Sequence, residues 1–236
     1  FGQGIVGTPN DFGTHGAAPT HPELLDHLAL EFIKSGWSIK QMHRIIMSSA
    51  TYQQSARSGP GPKKYSGFER RRLSAEEIRD TILYLSGMLD VSPGKEHPFP
   101  PRDKWNFTQH NPFVGEYASS KRSIYLMRKR NQISSFFSLF DGPDPNASTA
   151  SRSRTTVPSQ ALYFMNDPFF HDCAEQFASN IRAIGPDQRL ERACQQLFSR
   201  PASQTDHEDF EDFARAMAPT VSNDPEEQDT EIWKSY

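Results

Sequence analysis

The stretch THPELLDHLALEFIKSGWSIKQMHRIIMSSATYQQ, residues 20–54, decides the fold. Leu24, Leu25, Leu28, Ala29, Phe32 and Ile33 recur at helical spacing, so one stripe of the segment is apolar. Thr20 and Glu23 have the spacing of a capping box, and Pro22 is tolerated in a first helical turn. Gly36 ends the run. Ser38 opens a second helix, with Ile39, Met42, Ile45, Ile46 and Ser49 on one face. Only Gly36 and Trp37 separate the two. Residues 21–54 therefore predict an antiparallel helical hairpin packed around Leu28, Phe32, Ile45 and Ile46.

Outward from this hairpin the chain stays helical. Before it, residues 1–20 are rich in glycine and read as loop. After it, residues 56–67 form a polar linker, and Ser74 to Glu77 make a second capping box opening a helix through Ile78, Ile82, Leu83, Leu85 and Leu89. Residues 92–120 carry five prolines with Trp105, Phe107 and Phe113, a long loop that must pack on something. Ile124 to Met127 reads as a short strand or extended segment, residues 131–140 as a short helix, and Asp141 to Ser153 as a turn-rich loop. Helices follow over Gln160–Asn166, Pro168–Ile184, a stripe of Leu190, Ala193, Cys194, Leu197 and Phe198, and residues 206–217. Glu231 to Tyr236 reads as the start of another amphipathic helix. The expected class is mainly α: helical hairpins and bundle-like packing with long ordered loops and little or no sheet. The expected organisation is one domain over 1–236, with possible sub-lobes 1–90 and 120–236 joined by the Pro-rich loop 91–119.

The 236 residues carry 26 Lys and Arg against 29 Asp and Glu, a net charge of −3, which excludes a globally basic nucleic-acid binder. Aromatics make up 11% of the chain, too many for wholesale disorder. No apolar run approaches the ~18 residues of a membrane span. Two cysteines exclude a disulfide scaffold. Cys173 and Cys194 fall on adjacent helices either side of Gly185-Pro186, and two buried free thiols are favoured over a bridge. Charge is uneven: residues 121–154 have a net of +5 and residues 203–236 a net of −8. The two segments can attract each other or face separate partners.

Four constellations could carry chemistry. Asp11, His15 and His21 lie on and beside the glycine-rich loop, where carboxylate and imidazole could act as acid–base groups. Their spacing matches no metal motif, no metal is expected, and an Asx-turn at Asp11 with His21 packed at a helix start is the stronger reading. Arg71 and Arg72, with Arg79 on the capped helix, could bind an anion through their guanidinium forks, though an ion-pair network through Glu76 or Asp80 is favoured. Alternation on a strand would put Arg122, Arg128 and Arg130 on one face and Tyr125 on the other. With Arg152, Arg154 and Thr155 they could line an anionic pocket. Trp37, Trp105, Phe107, Phe113 and Tyr117 could stack on sugars or simply anchor the long loop. No P-loop, dinucleotide fingerprint, nucleophile elbow or zinc-protease motif is present.

Several ordered strings carry a resemblance. These are Gly2 to Gly13 with Thr8-Pro9 and Asp11-Phe12-Gly13, then His21-Pro22-Glu23-Leu24-Leu25-Asp26, then Gly36-Trp37-Ser38. Next come Ala50-Thr51-Tyr52-Gln53-Gln54-Ser55, then Arg71-Arg72-Leu73 with Arg79-Asp80, and last Thr155-Thr156-Val157-Pro158 with Gln160-Ala161-Leu162. Together they resemble the uncharacterised domain at the C-terminal end of planctomycete-type cytochrome c proteins. The resemblance covers nearly the whole chain and implies an exported, periplasmic or surface location. It implies that other domains of one polypeptide are the partners, and that any c-type haem sits in a covalently linked domain, with no cofactor in this chain. Against that family's pattern the chain lacks an upstream Trp-rich start and a C-terminal helix, so both ends read as cut, and Thr149 replaces a frequent Cys. Two functions follow as expectations. One is an accessory or binding module engaging surface polysaccharide or an assembly partner. The other is an enzyme acting on anionic or sulfated glycans. Nucleic acid is an unlikely partner, because aromatic interleaving among the arginines is sparse.

Overall fold

A computed structural model describes residues 1–55, 65, 70–95, 103, 108, 110, 118–128, 130, 133–221 and 224–236. Among these lie nine α-helices and no strand, so the chain is mainly α. The sole extended pairing among them is an isolated parallel bridge between Asp90 and Lys121. The chain divides into two compact units, residues 1–72 with 148–153, and residues 73–147 with 154–236. No helix among the described residues is long and apolar enough to cross a membrane.

The first unit holds α1 (Pro22–Lys34) and α2 (Ile39–Met47), which pack together as the predicted hairpin. Ser38 caps α2 through the Gln41 amide. The predicted capping box at Thr20 does not form. His21 is the N-cap residue of α1, and the Thr20 hydroxyl shares a 2.9 Å hydrogen bond with His21 Nδ1 instead. At the far end the Gly36 amide bonds Ile33 O and the Trp37 amide bonds Phe32 O, the paired bonds of a Schellman motif. Gly36 and Trp37 both take left-handed backbone, φ 67° and 64°. Glycine adopts this freely; tryptophan does not. The predicted hairpin core is only partial. Leu28, Phe32 and Ile45 are half-buried and Ile46 is exposed. Two helices alone cannot enclose a side chain on all sides.

The second unit contains every buried side chain among the described residues. It holds α3 (Ala75–Leu85), α4 (Ser135–Leu139), α5 (Pro158–Asn166), α6 (Pro168–Arg182), α7 (Pro186–Phe198), α8 (Gln204–Met217) and α9 (Pro225–Ser235). The capping box at the start of α3 forms as predicted: Ser74 Oγ accepts from the Glu77 amide, and Glu77 Oε2 accepts from the Ser74 amide at 2.7 Å. α6 is the hub, packing against α3, α5, α7 and α9. Ala75, Ile78, Phe137 and Phe140 form one core cluster, sealed by Ile82, Leu126, Phe136, Leu139, Tyr163 and Phe164. Cys173, Ala178 and Ile181 of α6 and Leu190, Ala193 and Cys194 of α7 are buried too. Both thiols are free, and burial raises the pKa of each. α9 joins α6 and α7 through Asp229, which accepts from Arg182 Nε at 2.9 Å and Arg189 Nη1 at 3.1 Å. Trp233 lies 4.6 Å from Phe210 of α8, ring centre to ring centre.

The segment read as a short strand or extended segment begins in a 3₁₀ turn over Ser123–Tyr125, and only from Leu126 is the backbone extended, with no strand pairing among the described residues. Alternation of Arg122, Arg128 and Arg130 on one strand face therefore does not occur. The predicted sugar-stacking residues Trp105, Phe107, Phe113 and Tyr117 lie outside the described residues, and Trp37 is at the hairpin tip.

Candidate functional site

In the first unit, residues 8–17 make a loop closed on itself. Thr8 Oγ1 donates to Asp11 O at 2.7 Å and accepts from the Ala17 amide at 2.9 Å. A Cβ on Gly16 would fall 1.9 Å from Asp11 O, so only glycine closes the loop. This geometry leaves Asp11 and His15 exposed. His21 is not with them as an open group: it is half-buried, its ring 5.2 Å from that of Tyr65. Asn10 Nδ2 donates to Ser148 Oγ, tying in the 148–153 segment that carries Arg152. Arg71 and Arg72 also belong to this unit, and Arg71 Nη1 donates to Arg72 O at 3.3 Å. Among the described residues no group of three or more His, Cys, Asp or Glu is placed to hold a metal ion.

In the second unit the arginines are mostly engaged. Arg79 is buried, and burial depresses its pKa. Its Nη1 donates to Lys121 O at 2.8 Å, its Nη2 donates to Ser119 O, and its guanidinium lies 5.7 Å from the Phe169 ring centre. Next to it, Asp80 Oδ1 accepts from the Ser123 amide at 2.7 Å and from Ser123 Oγ at 2.6 Å. Asp80 also faces Arg122 Nε at 3.7 Å. Together Arg79 and Asp80 fasten the 119–123 segment to α3. Arg128 stacks 4.1 Å over the Phe137 ring and donates to Pro143 O at 3.1 Å. Asn146 Nδ2 donates to Arg130 O at 2.6 Å. The turn at 141–147 is thus folded back onto the 128–130 segment.

Thr155 is held by Asp141, whose carboxylate accepts from the Thr155 amide at 2.8 Å and its hydroxyl at 2.9 Å. Asp141 itself is left-handed, φ 58°. Buried Gln160 donates from Nε2 to Leu139 O and Thr155 O. Asp141, Asn146 and Gln160 were absent from the sequence-derived candidates. Apart from the Thr155 hydroxyl, the partners named here are main-chain groups, which leave no mark in a sequence. Arg152 and Arg154 are exposed and fall in different units, Arg152 in the first and Arg154 in the second. Tyr125 and Arg122 sit at the surface of the second unit.

These features define a mainly α-helical chain whose polar residues, among those described, chiefly hold loops to helices. The chain belongs to the PSD1 family, proteins of unknown function (DUF1553), which it matches over residues 1–214. No curated protein and no solved structure matches it.

Proposed function

We propose that this domain is an accessory binding and assembly module of an exported multidomain protein, and that the α1–α2 hairpin is its docking element. One observation carries the reading. No residue of either helix is buried, while Leu30, Ile33, Trp37, Ile39 and Met47 are each more than half exposed. Exposed apolar surface of this kind marks an interaction face. The left-handed Trp37 supports the same reading, because backbone strain kept at an exposed tip is characteristic of working sites. The resemblance to the C-terminal domain of planctomycete-type cytochrome c proteins supplies the partner: another domain of the same polypeptide, where any c-type haem would reside. The test is hydrogen exchange of residues 22–47 in the natural polypeptide and in the 236-residue chain. Slower exchange in the former, abolished by Ile33→Glu, is expected; equal exchange in both rejects the docking role.

A second reading, an enzyme acting on anionic or sulfated glycans, is favoured by the tightly closed 8–17 loop that leaves Asp11 and His15 open to solvent. Release of sulfate or reducing ends from a sulfated polysaccharide, lost in Asp11→Asn, is its test. Activity equal in the variant would remove Asp11 from any catalytic role.

A further inference from the structure

We infer that the second unit carries a binding surface for a neutral hexopyranose polymer, centred on Tyr125. The residues come from two short segments that run side by side. Asp90 bridges Lys121 in parallel fashion, and four residues further along both segments Gly94 lies against Tyr125. That second contact depends on the glycine. A Cβ at Gly94 would meet Tyr125 Cδ1 at 2.9 Å, Cγ at 3.1 Å and Cβ at 3.2 Å. The ring is therefore laid against bare backbone on one side, with the residue 44% exposed. Val91 and Ile124 on the same pair of segments are 70% and 77% exposed. Tyr84, 71% exposed, lies one helical turn beyond Asp80 on the same side of α3, and Asp80 holds Ser123, the neighbour of Ile124.

The chemistry of the rim selects the ligand. A tyrosine ring is apolar on its face and polar at its tip, which suits the C–H face of a pyranose together with its hydroxyls. Asp90, Ser92 and Lys121 form an exposed hydrogen-bonded group: Lys121 Nζ lies 2.6 Å from Asp90 Oδ2 and also donates to Ser92 Oγ, while Ser92 Oγ donates to Asp90 Oδ1. Such groups exchange readily with sugar hydroxyls. Lys121 is paired with Asp90 and Arg122 with Asp80, and Lys95, next to Gly94, is exposed. Charges of both signs are thus interleaved around Tyr125, which favours an uncharged sugar over a sulfated one, whose charge would meet the two aspartates as well. A docked protein segment would need a broad apolar face. Here the apolar side chains alternate with charged ones.

This site is independent of the hairpin, so either reading can fail alone. The test is native electrophoresis of the whole chain through gels holding a β-glucan, a β-mannan, a galactan, a sulfated galactan or no polymer. Retardation by at least one neutral polymer is expected, lost in Tyr125→Ala and kept in Tyr125→Phe. Ile124→Asp, at a position too exposed to affect folding, should also lose it. No retardation by any neutral polymer overturns the inference. So does retardation by the sulfated polymer alone, or retardation unchanged in both Tyr125→Ala and Ile124→Asp.

Discussion

Arg79 organises more of the second unit than its neighbours in sequence suggest. An ion pair with Asp80 was legible from adjacency, and the two do lie 3.8 Å apart. The stronger contacts run to the carbonyls of Lys121 and Ser119, about forty residues away, and no side-chain pattern announces a carbonyl. Arg79→Lys keeps the charge but loses the planar fork, so one carbonyl is left without its donor. A loss of about 1–3 kcal/mol in a urea unfolding curve is expected; an unchanged midpoint would show that water replaces the fork without cost. Asp206 gives a prediction in pH. Hydrogen bonds from Arg200, at 2.6 Å, and from Ser203 hold its carboxyl well below the usual carboxylate range. Its folded pKa lies below the unfolded value of ~3.9, so the contribution is full above that value and disappears as pH falls through the folded one. Arg200→Ala should therefore destabilise the protein at pH 7 and have much less effect near pH 2. Equal losses at both pH values would mean that the pair does not couple to folding.

Helices were the most legible elements, because a period of 3.6 residues survives whatever packs against it. Ser74 and Glu77 were read as a capping box and form one. Ser74→Ala should cost about 0.5–2 kcal/mol through the lost cap, measurable as a lower melting temperature. What a stripe packs against is not written in its period, and this misplaced the hairpin core. Leu28 looks equivalent to Phe140 in pattern, yet it is half-buried while Phe140 is 2% exposed. Phe140→Ala should cost about 3–5 kcal/mol, and Leu28→Ala less than the ~2–5 kcal/mol of a fully buried leucine. Comparable losses at the two positions would place Leu28 in an enclosed core after all. The strand alternative for Ile124 to Met127 failed for a different reason. Its apolar run suits a strand, but Asp80 captures Ser123 on both its amide and its hydroxyl, and the chain turns there. The candidate site suffered likewise: Arg128 was read as one of a basic set, while the groups that engage it, Pro143 O and the Phe137 ring, depend on tertiary packing.

Across the whole molecule the contrast is between a unit with no buried residue among those described and one that holds every described buried residue. Amides of α1 and α2 should exchange with solvent much faster than those of α3, α6 and α7, since local opening there exposes little additional apolar surface. Uniform protection across both units would show that they open as one. The sequence marks the division only faintly, through the polar linker over 56–67, and gives no sign that residues 148–153 belong with the first unit. The order in which the chain is made gives that arrangement a further meaning. The polypeptide enters the second unit at Leu73, returns to the first for six residues, and leaves it again at Arg154. At roughly 5–20 residues per second of translation, the first unit waits on the order of 4–16 s for its last piece to emerge. Throughout that interval Leu30, Ile33 and Trp37 stand exposed on a unit that still lacks residues 148–153, so the hairpin is open to solvent before the unit that carries it is finished.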